Sequence, residues 1–452
     1  MLREECGVVG IYSKTGKGVA PLLYKALIAL QHRGQDAAGF AVFDGEKIVD
    51  KKGLGLVEQI YSKQDLFVKG SVDIGHTRYP TIGECRIQDV QPSIYKKIAV
   101  AHNGHLANYD ELKKKIESWG YEFKSTVDSE PMAYYIDKYG MEEGAKNIMN
   151  DFEGAFSDAV IHDGELYIFR DPHGIRPLVW GENEDFVMFA SESVALDINH
   201  IPLKGEVEHG SFIRVKNFEK KILNQQERKN CMFEFVYFAR PDSTINGKSV
   251  HEVRIALGEI LAEEAPAACD IVVPVPDTSR TAATGYARRL GVSYDEGLIK
   301  NRYIGRTFIM PSQDKRREAV KLKLNPIRSV VAGKRVVLID DSIVRGTTMK
   351  EIVALVRWGG AKEVHVRIPS PPIISPCFYG VDMPTYEELI ANNMKIDEIR
   401  KFIGADSLAY LSKEGLKKAI GLPICEGCIA GKYNSPFVQK LGKKKVWQQC
   451  NC

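Results

Sequence analysis

Cys6 is followed at once by Gly7 and the apolar run VVGIY, only five residues into the chain. If Met1–Glu5 are a propeptide that is cut away, Cys6 gains a free α-amine with a pKa near ~8 beside its thiol, and one residue supplies nucleophile and general base. Gly7 would let another group approach the backbone at the nucleophile, and VVGIY would pin that end into a sheet. The plainer alternative is a buried edge strand whose cysteine is a small apolar filler. A thiol that cleaves an amide also needs donors for the oxyanion and fixed charges for the rest of the substrate. AVAHNGHLANY offers Asn103 and Gly104, an amide side chain and a backbone N–H that could point the same way, although an Asn-Gly pair also makes a plain turn. GHTRYPTIG adds Arg78 for a carboxylate and STVDSE adds Asp128 for an ammonium, which together would clamp an α-amino acid.

A second constellation lies in VVLIDDSIVRGTT, where four apolar residues end in Asp340 and Asp341, followed by a Ser/Gly/Thr loop opening a helix. Hydroxyls and backbone N–H groups at a helix start can cradle a phosphate monoester, whereas the two acids suit sugar hydroxyls. No G-x-x-x-x-G-K-[ST] run accompanies it, so it is not a P-loop; an accidental acidic turn is the remaining alternative. CEGC, holding Cys425 and Cys428, has metal-ligand spacing, but one such pair is half of the usual four ligands, and a redox dithiol stays open.

The elements that must position these residues fall into two rhythms. To about Asn230 the chain reads as short apolar strands separated by turn residues, with helical patches near VAPLLYKALIALQHRG and NYDELKKKIESWG, which predicts a layered α+β domain. From about residue 250, DIVVPVPDTSRTAATGYARRLG and KRVVLIDDSIVRGTTMKEIVALVRWGGAKEVHVRIP read as strand, loop and helix units, the βαβ signature of a parallel sheet. Between these units, six basic residues fall from Lys315 to Arg328, either a solvated face or an anion-gripping loop. The chain has 452 residues, 44% of them hydrophobic, and a formal charge of +3, too balanced for a chain that coats nucleic acid or an anionic membrane. With no signal-like or membrane-spanning apolar run and nine cysteines, a cytoplasmic enzyme with reduced or metal-bound thiols and small substrates is expected.

CGVVGIYS, LQHRGQDAAGF, GHTRYPT, AHNGHLANY, TVDSE, EGAFS and RDPHGIRPL occur in the order that resembles glutamine amidotransferases of the N-terminal-nucleophile class. The resemblance implies an αββα Ntn-hydrolase domain over residues 6–230. In it Cys6 attacks the glutamine side-chain amide, Asn103 and the Gly104 N–H stabilise the oxyanion, and Arg78 and Asp128 bind the α-carboxylate and α-ammonium, with Arg33 and Thr81 as supports. DDSIVRGTT resembles the phosphoribosyl pyrophosphate motif of type I phosphoribosyltransferases, and PVPDTS and KNRYIGRTFIMPSQ agree with it. That likeness implies an α/β domain over residues 231–452, ending in a helical tail. Asp340 and Asp341 would meet the ribose hydroxyls, and Ser342, Arg345, Gly346, Thr347 and Thr348 the 5-phosphate. Mg²⁺ would sit near the two acids and Thr278, and Lys315–Arg328 would close over the pyrophosphate and exclude water.

Both halves in this order, joined by CMFEFVYFARPDSTINGKSVHEVR, resemble the family of glutamine-dependent amidotransferases acting on phosphoribosyl pyrophosphate. The implied reaction, the first committed step of purine synthesis, yields 5-phosphoribosylamine, glutamate and pyrophosphate, with ammonia passing through the protein between the sites. One branch of the family carries a propeptide and a [4Fe–4S] cluster, which the resemblance assigns to Cys231, Cys377, Cys425 and Cys428 in a structural or oxygen-sensing role. It also implies a homotetramer and purine nucleotide feedback inhibitors. Cys85, Cys269, Cys450 and Cys452 have no place in that pattern. Three rival readings are an amidotransferase making a glucosamine phosphate or asparagine, a phosphoribosyl pyrophosphate-binding regulator of transcription that has lost catalysis, and an iron–sulfur scaffold. DDSIVRGTT argues against the first, Cys6, Arg78, Asn103 and Asp128 against the second, and two complete substrate constellations against the third.

Overall fold

The computed structural model describes residues 6–79, 86–301, 323–383 and 385–442. Met1–Glu5, Thr81, Cys85, the Lys315–Lys321 part of the basic run, Cys450 and Cys452 lie outside them.

The first domain is two antiparallel sheets packed face to face. One holds β1 (Gly7–Ser13), β2 (Ala37–Phe43), β3 (Ile48–Leu54), β4 (Val72–Arg78), β9 (Val179–Glu182), β10 (Phe186–Ala190) and β11 (Leu203–Glu206), in the order β11-β9-β10-β1-β4-β2-β3. The other holds β5 (Ser93–Tyr95), β6 (Ile98–Leu106), β7 (Gly154–His162), β8 (Glu165–Arg170), β12 (Ser211–Arg214) and β13 (Glu219–Ile222), in the order β13-β12-β8-β7-β6-β5. Period-two alternation shows why β1 is buried on both faces: Val8 packs between the sheets with Ala99, Ala101 and Ile161, while its neighbour Val9 packs outward under the helix Ala20–Ala29. The strand behind Cys6 is therefore central, paired with both β10 and β4, and not an edge.

Helices cover the outer faces to complete four layers. Ala20–Ala29 lies on the first sheet, and Ser129–Tyr139 with Met141–Asp151 lies on the second, burying Tyr134 and Tyr135. The last two helices go beyond the two helical patches expected. Pro131 and the tyrosine pair obscure the helical pattern, but proline is tolerated in a first turn, and the rings find a tertiary pocket.

The second domain carries the expected parallel sheet, Ser293–Tyr294, Ile271–Pro274, Arg335–Ile339, Glu363–Ile368 and Ser407–Tyr410 in spatial order. The basic run does not end as a loop: Leu324–Pro326 pairs with Leu298–Lys300, and Arg328 begins a short helix. The domains share apolar packing, because Ala155 and Ile175 of the first join one core with Met232–Val236, Val250, Leu257, Phe378 and Val381.

Candidate active sites and a four-cysteine cavity

The glutamine-site candidates converge at one end of the stacked sheets. Gly7 pairs with Thr77, so Cys6 enters the sheet beside Arg78, and its thiol donates to the Tyr79 carbonyl at 3.5 Å. A side chain at position 7 would meet Thr77 Oγ1 at 2.7 Å, so the glycine lets β4 come close behind the nucleophile. Asn103 and Gly104 lie on β6, and the Asn103 amide donates to Ser191 Oγ at 3.4 Å. Ser191 Oγ also accepts the Val8 N–H at 3.0 Å, tying the oxyanion candidate to the nucleophile's strand. Gly104 has φ +156°, and a Cβ there would lie 1.9 Å from the Ala155 carbonyl oxygen, so this Asn-Gly pair is a strand position that only glycine fits.

Asp128 stands at the position before the helix Ser129–Tyr139, and its carboxylate, rather than capping that helix, accepts the Leu106 N–H at 2.7 Å, with His105 Nδ1 at 3.4 Å. Burial pushes its carboxyl up, but the hydrogen bonds and charges of His105, His102 and the Leu106 N–H outweigh that and hold it below the usual value. It stays an anion, as an ammonium receptor must.

Arg33 is fully buried and donates through Nε to the Cys6 carbonyl at 3.0 Å. Its other nitrogens reach Glu192 at 2.7 Å and Glu234 at 2.8 and 2.9 Å. Glu192 further accepts from His32 at 2.7 Å, the Arg240 N–H at 3.0 Å and Ser243 Oγ at 2.6 Å. Burial would raise the Glu192 carboxyl, yet His32 and Arg33 drive it far below the ordinary range.

At the second site, the strand Arg335–Ile339 delivers Asp340 and Asp341 to its C-terminal end, where ligands of open parallel sheets bind. Asp341 accepts from Thr278 Oγ1 at 2.6 Å and Ser342 Oγ at 2.8 Å, and Asp340 accepts from Ser279 Oγ at 3.4 Å. Burial raises both carboxyls, and for Asp340 the neighbouring charge adds to it. Gly346, at φ +76°, caps the helix Thr347–Trp358, so Thr347 and Thr348 stand in its first turn. The Arg345 guanidinium is engaged by Glu388 at 2.9 and 3.3 Å.

A buried segment joins the glutamine site to the second domain. Glu234, which holds Arg33, begins a π-helical turn, Glu234–Phe238. The carbonyls of Phe235 and Ala239 accept from Arg254 at 2.7 and 2.8 Å. Burial pulls Arg254 down to about 10, against the opposing attraction of Asp341, Glu192 and Glu234. One arginine thus lies within electrostatic reach of carboxylates from both sites.

Cys231, Cys377, Cys425 and Cys428, drawn from three distant segments, line one pocket together with Ile175, Arg176 and Tyr433. None forms a disulfide. Burial, followed by the other three thiols, raises Cys428, and burial pushes Cys425 up to about 12 against the attraction of Arg176. Among the described residues, no group of three His, Cys, Asp or Glu side chains is arranged to hold a single metal ion. Cys269 stands apart, half-buried at the start of the second-domain sheet.

Residues 80–197 match the family described as glutamine amidotransferase domain, and residues 244–369 match phosphoribosyl transferase domain. The chain is 46% identical to the amidophosphoribosyltransferase of Methanothermobacter thermautotrophicus, over 100% of this chain and 98% of that protein. The chain belongs to the amidophosphoribosyltransferase family. A second amidophosphoribosyltransferase, from Bacillus subtilis, is 43% identical over 97% of this chain and 96% of its own length. The solved Bacillus subtilis glutamine phosphoribosylpyrophosphate amidotransferase, complexed with ADP and GMP, superposes with a TM-score of 0.88 at 43% identity, covering 95% of this chain and 97% of that one. Among its described residues the chain has no helix long and apolar enough to cross a membrane. The sequence does not single out Ser191, Glu192 or Arg254, but Glu234, an acid inside the apolar run CMFEFVYF, signals a buried partner.

Proposed function

We propose that Cys6, freed of Met1–Glu5, hydrolyses glutamine and that the ammonia is delivered to phosphoribosyl pyrophosphate beside Asp340 and Asp341. Cys6 Sγ bonds to the side-chain amide carbon, the α-amine of Cys6 takes the thiol proton, and Asn103 Nδ2 and the Gly104 N–H receive the oxyanion. Collapse of the tetrahedral adduct breaks the C–N bond and, with that proton, expels ammonia; water then cleaves the thioester to glutamate. Arg78 and Asp128 hold the α-carboxylate and the α-ammonium, with Thr81 as a further support, and Arg33 fixes the Cys6 carbonyl so that the thiol is aimed.

At the second site ammonia attacks the anomeric carbon and pyrophosphate departs, leaving 5-phosphoribosylamine. Asp340 and Asp341 hold the ribose hydroxyls, and Ser342, Gly346, Thr347 and Thr348, with the backbone of Arg345, enclose the 5-phosphate at the helix start. Mg²⁺ fits the paired buried carboxylates and the Thr278 hydroxyl, and would neutralise the departing pyrophosphate.

The four thiols lining one pocket suit a [4Fe–4S] cluster, since a single zinc would need its ligands gathered about 2.3 Å from one centre. Such a cluster would supply the charge that lets buried thiols exist as thiolates, and would bind three segments together; neither reaction calls for electron transfer. By family likeness, purine nucleotides act as feedback inhibitors and the assembly is a homotetramer.

The observation that carries this reading is the buried hydrogen-bonded run from the Cys6 carbonyl through Arg33 to Glu234, which opens the 234–238 turn whose carbonyls Arg254 of the second domain holds. Its test is Cys6→Ala: glutamine-dependent synthesis should vanish while synthesis from ammonium salts persists. Equal loss of both would contradict two separable sites.

A further inference from the structure

The glutamine site borrows a wall from the other domain. Gly380, at φ +111°, packs so closely against β6 that a Cβ added there would lie 3.2 Å from the Gly104 carbonyl carbon and 3.4 Å from both its Cα and its oxygen. Gly104 is thus held on one side by Ala155 of its own domain and on the other by Gly380 of the second.

Gly380 is itself held firmly. Ile374 and Ser375 donate to the Cys428 carbonyl at 2.9 and 3.1 Å. The Tyr433 hydroxyl donates to the Pro376 carbonyl at 2.8 Å, and the Tyr379 N–H donates to Cys377 Sγ at 3.3 Å. The Tyr379 hydroxyl accepts the Asn434 N–H at 2.8 Å, and Phe378, Tyr379 and Val381 are buried in the shared core. One cavity cysteine, Cys377, therefore belongs to the segment whose next turn meets the oxyanion glycine, and a second, Cys428, is hydrogen-bonded to that segment through its carbonyl.

We propose that Gly380 is a positioning residue for glutamine hydrolysis: it fixes the Gly104 peptide from the second domain, so displacement of the Cys377 segment is felt at the oxyanion. The part played by a metal group in holding that segment rests on the cluster reading above; the Gly380–Gly104 contact does not.

The test is Gly380→Ala in the full chain. Glutamine hydrolysis should lose about ten- to a hundredfold in kcat, short of the roughly 10²–10³ cost of removing an oxyanion donor outright. The KM for glutamine, ammonia-dependent synthesis and the iron content should each stay within about twofold of the parent, because Arg78, Asp128 and the phosphoribosyl site are untouched. Unchanged kcat, or equal loss of glutamine- and ammonia-dependent synthesis, overturns the proposal. If the strained alanine prevents folding, amide exchange on the unaltered protein serves instead. Anaerobic removal of iron by a chelator should speed exchange in the 103–107 stretch and leave 340–348 unchanged, and unaltered exchange at 103–107 overturns the coupling. Iron-free native protein together with a positive Gly380→Ala result overturns the cluster reading alone.

Discussion

Glu234→Gln tests the bridge directly. The Glu234 carboxylate takes two hydrogen bonds from Arg33, with Arg176 Nη1 at 3.8 Å, and all three side chains are buried. Removing one partner of a buried ion pair costs roughly 3–5 kcal/mol, because the remaining charge is left uncompensated. Glu192 stays on Arg33 at 2.7 Å, so the lower figure of about 3 kcal/mol applies. For a domain of this size that corresponds to a transition roughly 6–12 °C lower. The Cys6 carbonyl also loses a firmly held Arg33, so glutamine hydrolysis should fall more than ammonia-dependent synthesis. Thermal unfolding followed by circular dichroism reads the first effect and glutamate release the second. A transition within about 1 °C of the parent with undiminished glutamate release would refute the argument that Arg33 needs both acids.

Asp340→Asn with Asp341→Asn should spare slow glutamine hydrolysis and abolish phosphoribosylamine formation; product at the parent rate would remove the ribose-binding assignment. Glu192, with its folded-state pKa depressed below the ordinary 4.5, contributes stability that is present above that value and is lost as pH falls below it. Acid unfolding of Glu192→Gln, followed by tryptophan fluorescence, should accordingly depend less steeply on pH than that of the parent, whereas an identical profile would count against the ion network. Protein purified without oxygen should be brown and carry about four irons per chain, and Cys428→Ser should lose both colour and iron. Colourless protein with stoichiometric zinc would exclude the cluster.

What the sequence made legible was local chemistry. The VVLIDD strand end, the Ser/Gly/Thr helix start and the Asn-Gly pair each needed residue types that few other structures require, and each stands where a site could use it. Two kinds of feature were hidden. Ser129–Tyr139 is wrapped by rings that pack on nearly every side, so it lacks the one-sided apolar stripe by which a surface helix announces itself. Glu192, Arg254 and Gly380 act on partners at separations from 15 to 276 positions: Arg254 with Ala239, Glu192 with Arg33, and Gly380 with Gly104. No periodicity reports such pairs, because the packed sheets and the buried 231–239 segment create them. The four cysteines lie between these cases, since the CEGC spacing is visible while its convergence with Cys231 and Cys377 is a product of the fold.

The central claim is that two sites in one chain act as one enzyme. The most direct measurement is anaerobic glutamate release from glutamine, with and without phosphoribosyl pyrophosphate and Mg²⁺, on protein whose intact mass shows Cys6 at its N-terminus. Glutamate release should rise strongly only when both are added, with pyrophosphate appearing one for one. Glutamate formed at the same rate without them would contradict the coupling and leave the first domain an independent glutaminase.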